Sequence, residues 1–191
     1  MGTFERKSGS VRFMKNNIYL TGFSGTGKST VGNALAIMTG KDFVDVDLVI
    51  EEIEGKSIPD IFALKGEEYF RSVETECLRE VSTRSETIVS TGGGVPVSLQ
   101  NIEIMEHSGA IVWLKATPET ILTRLSVQSQ ETGVENDRPM LVSKQPLERI
   151  AKLLKSRQIA YEKSDLSVDT DGKNPETVAK EIYRSLSEWK Q

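Results

Sequence analysis

Short apolar runs alternate along this chain with longer stretches in which apolar residues recur at helical spacing. Strands are predicted at residues 17–20, 42–46, 87–90, 110–114 and 166–168. Each strand except the last is followed by enough residues for a helix before the next strand begins. Parallel strands need such crossover connections, so the alternation predicts an α/β fold with a mainly parallel sheet.

The helical patterns have recognisable starts and breaks. Helices are predicted from Lys28 to about Thr39, over 58–64, after Gly66, from Pro118 with Thr117 as N-cap, near Pro146, and after Pro175. The helix after Gly66 carries an apolar stripe made of Phe70, Val73, Cys77, Leu78 and Val81. A stripe at this spacing faces a core, so the cysteine in it is expected to be a buried thiol and not a nucleophile.

Composition narrows the class of protein. The 191 residues fit one domain, and 24 basic against 28 acidic residues leave a net charge of −4, which gives no general attraction to nucleic acid or an anionic membrane. No apolar run approaches the roughly 18 residues of a membrane span. Cys77 is the single cysteine, which fits a reducing, cytoplasmic location. The first fifteen residues lack the apolar segment of a secretory signal, and residues 1–15 are predicted to be a disordered extension.

The run GFSGTGKS at 22–29, called the phosphate loop below, matches the pattern G-x-x-x-x-G-K-[ST]. Its position between a predicted strand and a predicted helix lets backbone N–H groups and the helix N-terminus point at phosphate. Lys28 is expected to reach the β- and γ-phosphates, and Ser29 to ligate Mg²⁺. The predicted nucleotide-binding residues here are Gly25, Thr26, Gly27, Lys28, Ser29 and Thr30.

Two acidic residues end the second predicted strand. Asp45 and Asp47 lie two positions apart, so both side chains are expected to leave the same side of an extended strand end. At the carboxyl edge of the sheet, Asp45 can hold Mg²⁺ through a water molecule, and Asp47 can orient an attacking hydroxyl group or accept its proton. The alternative is a solvated turn in which one aspartate caps a helix.

A glycine run (Gly92, Gly93 and Gly94) follows the third predicted strand, where it lets a ligand approach the backbone closely. Arg71 projects about 100° away from the apolar stripe of its helix, and Glu74 lies one turn further on, where it can steer the guanidinium. Arg157 is a second candidate. A guanidinium matches a carboxylate in bidentate fashion, although an arginine taken alone is more often a solvated surface charge.

Residues 127–139 form a polar stretch with one glycine and no apolar periodicity, which predicts a mobile loop. A loop that carries Arg138 near a phosphate site can act as a lid that excludes water. Arg124, just before it, either packs against a nucleotide base or is a surface charge. His107 has no second ligand nearby in the sequence, which argues against a zinc site.

Six segments together resemble shikimate kinases in order and spacing, from about residue 18 to the C-terminus: GFSGTGKSTVG, FVDVDLVIEE, GKSIPDIFALKGEEYFR, VSTGGG, DRPML and SRQIAY. The resemblance implies a three-layer P-loop NTPase fold of the nucleoside-monophosphate-kinase type with a five-stranded parallel sheet. It also implies ATP-dependent phosphorylation of the 3-hydroxyl of shikimate, with Mg²⁺, by a monomer. A single domain over 16–191 would contain a substrate-binding region at about 47–75 and a lid at about 126–140.

The resemblance also assigns roles to individual positions. The aspartate aligned with Asp47 contacts the diol of shikimate, the arginines aligned with Arg71 and Arg157 hold its carboxylate, and the glycine run lines the pocket. Glu74 is expected among these substrate-binding residues. The expected catalytic set is therefore Asp47 together with Lys28 and Arg138.

On the nucleotide side, Lys28, Ser29 and Asp45 match the residues that handle phosphate and metal, and Arg138 meets the phosphates. Arg124 and the loop at 171–175, with Lys173, would flank adenine. The interval from Arg124 to Arg138 is several residues longer than usual in the family, and the extension at 1–15 has no counterpart. Two other functions remain: a kinase for another small acid such as gluconate, and a nucleotide-binding module without catalysis.

Overall fold

A five-stranded parallel sheet forms the centre of the molecule in the computed structural model, which describes residues 17–132 and 145–188. Its strands are β1 Asn17–Thr21, β2 Asp42–Asp45, β3 Thr87–Ser90, β4 Gly109–Lys115 and β5 Leu166–Asp169. They lie in the order β2-β3-β1-β4-β5, and every neighbouring pair is parallel. The predicted strands and the parallel sheet are confirmed, with differences of one residue at several strand ends.

The helices over the described residues are α1 Lys28–Thr39, α2 Val46–Glu54, α3 Ile58–Ser82, α4 Leu99–Ser108, α5 Pro118–Thr132, α6 Pro146–Tyr161 and α7 Pro175–Glu188. Helix α1 has the predicted bounds, and Gly66, with φ 82° and ψ 170°, interrupts α3 where a break was predicted. Two predictions were wrong. Asp47 lies in the first turn of α2 and not at an extended strand end, and residues 127–132 continue α5 instead of forming a loop.

Helices cover both faces of the sheet, which gives the predicted three layers. Successive strand residues point to opposite faces, so Tyr19 packs with the cluster under α2, α3 and α4, whereas Leu20 packs with the cluster under α1 and α7. The apolar stripe of α3 joins the first cluster: four of its residues are buried, and Val73 is partly buried against it. Cys77 is among the buried four, as predicted.

A third, smaller core fixes the phosphate loop to the helices that follow the sheet. Phe23, within that loop, packs against Ile121 and Leu125 of α5 and Ile150 of α6. All four side chains are almost completely buried. Anchoring of the loop by its own phenylalanine holds the loop at the carboxyl end of β1, beside the ends of β3 and β4.

None of the described helices is long and apolar enough to cross a membrane. The extension at 1–15 and most of the predicted lid, including Arg138, lie outside the described residues.

Candidate active site

Three hydrogen bonds within the phosphate loop converge on the carbonyl oxygen of Phe23. That oxygen accepts hydrogen bonds from Thr26 N at 3.2 Å, Thr26 Oγ1 at 2.8 Å and Lys28 Nζ at 3.0 Å. Gly25 and Gly27 have φ angles of 83° and 92°, in the left-handed region that glycine adopts without strain. Gly27 is also the N-cap of α1, so the loop ends at the positive end of a helix dipole.

A cavity of about 630 Å³ opens over this loop. All six predicted nucleotide-binding residues of the loop line it, from Gly25 to Thr30. Asp47, Thr91, Arg124 and Lys173 also line it. The volume suits a ligand of nucleotide size, since small-molecule sites usually measure about 300–1,000 Å³.

Arg124 links two loops of the cavity wall. Its Nη1 lies 3.3 Å from the Thr26 carbonyl oxygen and 2.9 Å from Thr170 Oγ1, and its Nη2 donates to the Thr170 carbonyl at 2.7 Å. This arginine is therefore bound into the site and is not the solvated surface charge of the alternative. Lys173 lines the same cavity, with its ammonium group 2.7 Å from Oε2 of Glu181.

Two oxygen atoms that can bind a metal, one from Ser29 and one from Asp45, lie next to each other beside the phosphate loop. The Ser29 hydroxyl donates to Oδ2 of Asp45 at 2.5 Å, and Ser90 Oγ lies 3.3 Å from Ser29 Oγ. Asp45 is also the N-cap of α2, because its Oδ1 accepts from Asp47 N at 3.1 Å. Capping and metal binding were alternatives in the sequence, but here one residue has an oxygen for each. A hydroxyl and a carboxylate side by side offer the oxygen ligands that Mg²⁺ prefers.

Asp47 reaches the site from the first turn of α2, and not from an extended strand as expected. Burial raises the pKa of its carboxyl group to about 6; the charge of Asp45 acts in the same direction, and Lys28 opposes it. A carboxylate with this pKa holds a proton more tightly than an exposed aspartate, yet it is mostly ionised at pH 7. It is therefore suited to accept a proton from a hydroxyl group.

Arg71 lies beside the last residue of the glycine run. A β-carbon at Gly94 would fall 2.7 Å from Nη2 and 2.8 Å from Cζ of Arg71. The guanidinium Nη1 donates to the buried carboxylate of Glu74 at 2.8 Å, and its Cζ is 5.2 Å from the centre of the Phe70 ring. Glu74 therefore orients Arg71, as the sequence suggested, and an aromatic ring lies along one face of the guanidinium.

Arg157 approaches the middle residue of the run from α6. Its Nη1 donates to the Gly93 carbonyl at 3.3 Å, and its Cζ lies 5.6 Å from the centre of the Phe23 ring. The same carbonyl accepts a 2.7 Å hydrogen bond from Tyr161. The sequence reasoning missed this tyrosine, although it follows Arg157 by four positions and so shares its helical face.

The remaining site residues converge on the glycine run and form one crevice with it. A β-carbon at Gly92 would lie 2.7 Å from Oδ1 of Asp47, and one at Gly93 would lie 3.3 Å from Ser24 N of the phosphate loop. Arg71 and Arg157 contact the other sides of the run. The carboxylate, the two guanidinium groups and the phosphate loop thus surround three consecutive glycines, where any side chain would displace one of them.

Two further candidates from the sequence lie away from this crevice. His107 is exposed near the end of α4, with Nδ1 2.6 Å from the Glu103 carbonyl oxygen, which agrees with a surface role. Burial raises the pKa of the Cys77 thiol to about 11, so it is not a reactive nucleophile. Within residues 17–132 and 145–188 there is no cluster of three or more His, Cys, Asp or Glu that would hold a metal.

Comparison with known proteins gives one consistent result. The sequence model of the shikimate kinase family matches residues 24–187. The shikimate kinase of Moorella thermoacetica is 40% identical over 176 residues, which cover 92% of this chain and 97% of that protein. The shikimate kinase of Sulfurihydrogenibium sp. is 42% identical over 170 residues, which cover 89% of this chain and 97% of that protein.

Solved structures agree with the sequence relatives. The shikimate kinase from Acinetobacter baumannii in complex with shikimate superposes with a TM-score of 0.82 at 34% identity, covering 92% of this chain and 94% of that one. A gluconokinase from Sinorhizobium meliloti has a TM-score of 0.56 at 19% identity, with 92% and 93% of the two chains covered. The second likeness shows only a shared fold.

Proposed function

Because the chain belongs to the shikimate kinase family, we propose that it transfers the γ-phosphoryl group of ATP to the 3-hydroxyl group of shikimate, giving shikimate 3-phosphate and ADP. The observation that carries the proposal is the crevice around the glycine run. A carboxylate of raised pKa and two arginines lie around that run, beside the phosphate loop. A reaction between a triphosphate and a small hydroxy acid needs these groups together.

The triphosphate is expected to lie over the phosphate loop. Backbone N–H groups of the loop and the N-terminus of α1 favour negative charge there. Lys28 is 8% exposed and enters the site from the first residue of α1, where its ammonium neutralises charge on the β- and γ-phosphates. Arg124, already fixed to the loop backbone at Thr26, can support the base from the other side of the cavity.

Ser29 and Asp45 would hold Mg²⁺, which would neutralise charge on the phosphate oxygens when bound. The side chains of the two residues are hydrogen-bonded to each other, and Ser29 lines the cavity. Neither residue would have to leave its secondary-structure element to bind an ion. Asp45 keeps a second oxygen for the cap of α2.

Shikimate would bind with its carboxylate between Arg71 and Arg157 and its hydroxyl groups towards Asp47. The Phe62 and Phe70 rings, tilted by 34° with centroids 4.6 Å apart, lie beside Arg71 and offer an apolar surface for the substrate ring. In the transfer step the substrate oxygen forms a bond to the γ-phosphorus, and the bond from that phosphorus to the bridging oxygen of ADP breaks. The hydroxyl proton passes to the Asp47 carboxylate.

Arg138 is proposed to contact the transferring phosphoryl group from the lid, on the strength of the DRPML segment alone. We also propose, from the family resemblance, that the protein works as a monomer. A cytoplasmic location goes with this proposal, because the donor is ATP and the one cysteine has no partner cysteine in the sequence.

Release of ADP, measured by a coupled assay, tests the proposal against its two rivals. We expect ADP release that depends on shikimate and is negligible with gluconate or with no acceptor. Turnover with gluconate and not with shikimate would favour a kinase for another small acid. Binding of ATP and shikimate without turnover would favour a nucleotide-binding module.

A further inference from the structure

The carbonyl oxygen of Gly93 accepts two hydrogen bonds from one helix. The Tyr161 hydroxyl donates at 2.7 Å and Arg157 Nη1 at 3.3 Å. Both donors lie on α6 and are four positions apart, so they stand one above the other on the same helical face. The shorter bond comes from the neutral donor, and the charged donor makes the longer one.

Tyr161 is held firmly in this position. Only 1% of the residue is exposed, and its ring stacks on Trp113 of β4, with the centroids 5.6 Å apart and the planes 22° apart. The sheet therefore determines where the hydroxyl group lies. Arg157 is more exposed than Tyr161; its guanidinium rests on the Phe23 ring by a cation–π contact and also interacts with the Tyr161 hydroxyl.

Close packing restricts movement of the Gly93 backbone, so its carbonyl group cannot shift with a donor that moves away. A β-carbon there would lie 3.3 Å from Ser24 N and 3.5 Å from the Gly22 carbonyl oxygen, so the residue is packed against the phosphate loop. The Gly93 carbonyl is partly buried, so leaving it unpaired costs part of the desolvation penalty of a buried acceptor. If Arg157 were its only donor, the guanidinium would be needed at Gly93 and at the substrate at once.

We infer that Tyr161 is a positioning residue for substrate binding: by satisfying the Gly93 carbonyl, it frees the Arg157 guanidinium to turn towards the substrate carboxylate. This inference rests on the proposed function, since it assumes that Arg157 binds that carboxylate. Tyr161 touches neither substrate nor phosphate in this account. Its effect reaches the substrate through one backbone oxygen and one neighbouring side chain.

Removal of the hydroxyl group should therefore affect one kinetic constant selectively. In Tyr161→Phe the Gly93 carbonyl keeps only the Arg157 bond, so binding of shikimate has to break it and leave the oxygen unpaired. We expect the KM for shikimate to rise about tenfold, the size expected for loss of one such bond. The kcat and the KM for ATP should change by less than about twofold, because Lys28 and Asp47 are untouched.

Tyr19→Phe is the matched control. Tyr19 is also fully buried, and its hydroxyl makes one short bond, 2.6 Å to Ser108 Oγ. Ser108 directly precedes β4, so this bond lies at the amino-terminal edge of the sheet, away from the crevice. Both variants keep the ring, and Tyr161→Phe keeps the stacking on Trp113. Thermal unfolding of both proteins verifies that they fold, and both are then assayed well below their midpoints.

Steady-state kinetics of the wild type and both variants tests the role inferred for Tyr161. A rise in the KM for shikimate in Tyr161→Phe, without one in Tyr19→Phe, supports the inference. Equal KM values in the two variants would overturn it, as would a loss of kcat or of ATP affinity as large as the change for shikimate. A wild-type protein without shikimate-dependent turnover would instead overturn the proposed function on which the inference rests.

Discussion

Asp47 and Glu74 face each other across Gly92: a β-carbon at that glycine would lie 2.7 Å from Oδ1 of Asp47 and 2.8 Å from Oε1 of Glu74. The two carboxylates have different neighbours. Glu74 is ion-paired with Arg71, whereas Asp47 lies in the field of Asp45 and Lys28. Neighbouring carboxyl groups in unlike surroundings can take separate roles. Glu74 orients an arginine, and we propose that Asp47 accepts the proton.

The first prediction concerns the pH dependence of the rate. Because burial raises the pKa of Asp47 to about 6, its carboxylate is protonated below that pH and cannot accept a proton from the substrate. We expect kcat/KM for shikimate to fall about tenfold for each pH unit below the pKa of Asp47 and to level off above it. A pH–rate profile with wild-type protein at saturating ATP measures this.

The variant Asp47→Asn tests whether Asp47 is the group that titrates in this profile. The amide cannot accept the proton, so kcat should fall by roughly 10²–10⁴-fold and the residual rate should lose the acidic limb. Binding of ATP, measured by titration, should persist. A near-normal kcat, or a limb that stays near pH 6 in the variant, would assign the titration to another group.

The second prediction concerns Arg71. Arg71→Ala should raise the KM for shikimate by on the order of 10²-fold, because a charge-assisted bidentate contact is lost and the buried Glu74 carboxylate repels the substrate. Arg79→Ala is matched to it, since Arg79 lies on the same helix and also pairs with a glutamate three positions away, Glu76, but at the exposed surface. An equal change in the KM for shikimate in both variants would mean that Arg71 does not bind the substrate.

The third prediction uses the contact between Gly94 and Arg71. Gly94 has φ −96° and ψ −16°, which alanine adopts freely, so Gly94→Ala should fold normally and only push the guanidinium aside. We expect the KM for shikimate to rise about tenfold. A double-mutant cycle with Arg71→Ala provides the check: in that background Gly94→Ala should have little further effect. Additive effects would mean that the glycine acts independently of the arginine.

The fourth prediction separates the two roles of Asp45. Asn caps helices about as well as Asp, so Asp45→Asn should keep the cap of α2 and weaken only metal binding. The Mg²⁺ concentration for half-maximal activity should rise about tenfold or more, with little change in melting temperature. Asp45→Ala should show the same Mg²⁺ effect and also unfold at a lower temperature. An unchanged Mg²⁺ requirement in Asp45→Asn would place the ion elsewhere.

Local patterns in the sequence were enough to predict most of the fold. The strands, the bounds of α1 and the break at Gly66 each depend on a few consecutive residues whose backbone preferences agree. The start of α2 was missed because alternating apolar residues in FVDVDLVIEE fit a strand, while the cap at Asp45 needs the observed Asp47 N–H geometry. The polar end of α5 was mistaken for a loop, although Gln and Glu are good helix formers and an exposed helix needs no apolar stripe there.

The site was harder to predict because its contacts span long stretches of chain. The phosphate loop is a continuous segment and was found from its spacing alone. The convergence of Arg71 and Arg157 on the glycine run was expected only from the family resemblance, since Arg157 and Gly93 lie 64 positions apart. Tyr161 was not found at all, because its partners are a backbone carbonyl 68 positions away and a tryptophan on β4, which no local pattern predicts.

Identification of the reaction product tests the central claim most directly. Wild-type protein with ATP, Mg²⁺ and shikimate should give one new phosphomonoester, with the mass of shikimate plus one phosphoryl group. Its ³¹P NMR signal should couple to the proton on carbon 3. Free phosphate in place of that product, or a phosphoryl group on another hydroxyl, would contradict the account of a crevice in which Asp47 selects the attacking oxygen.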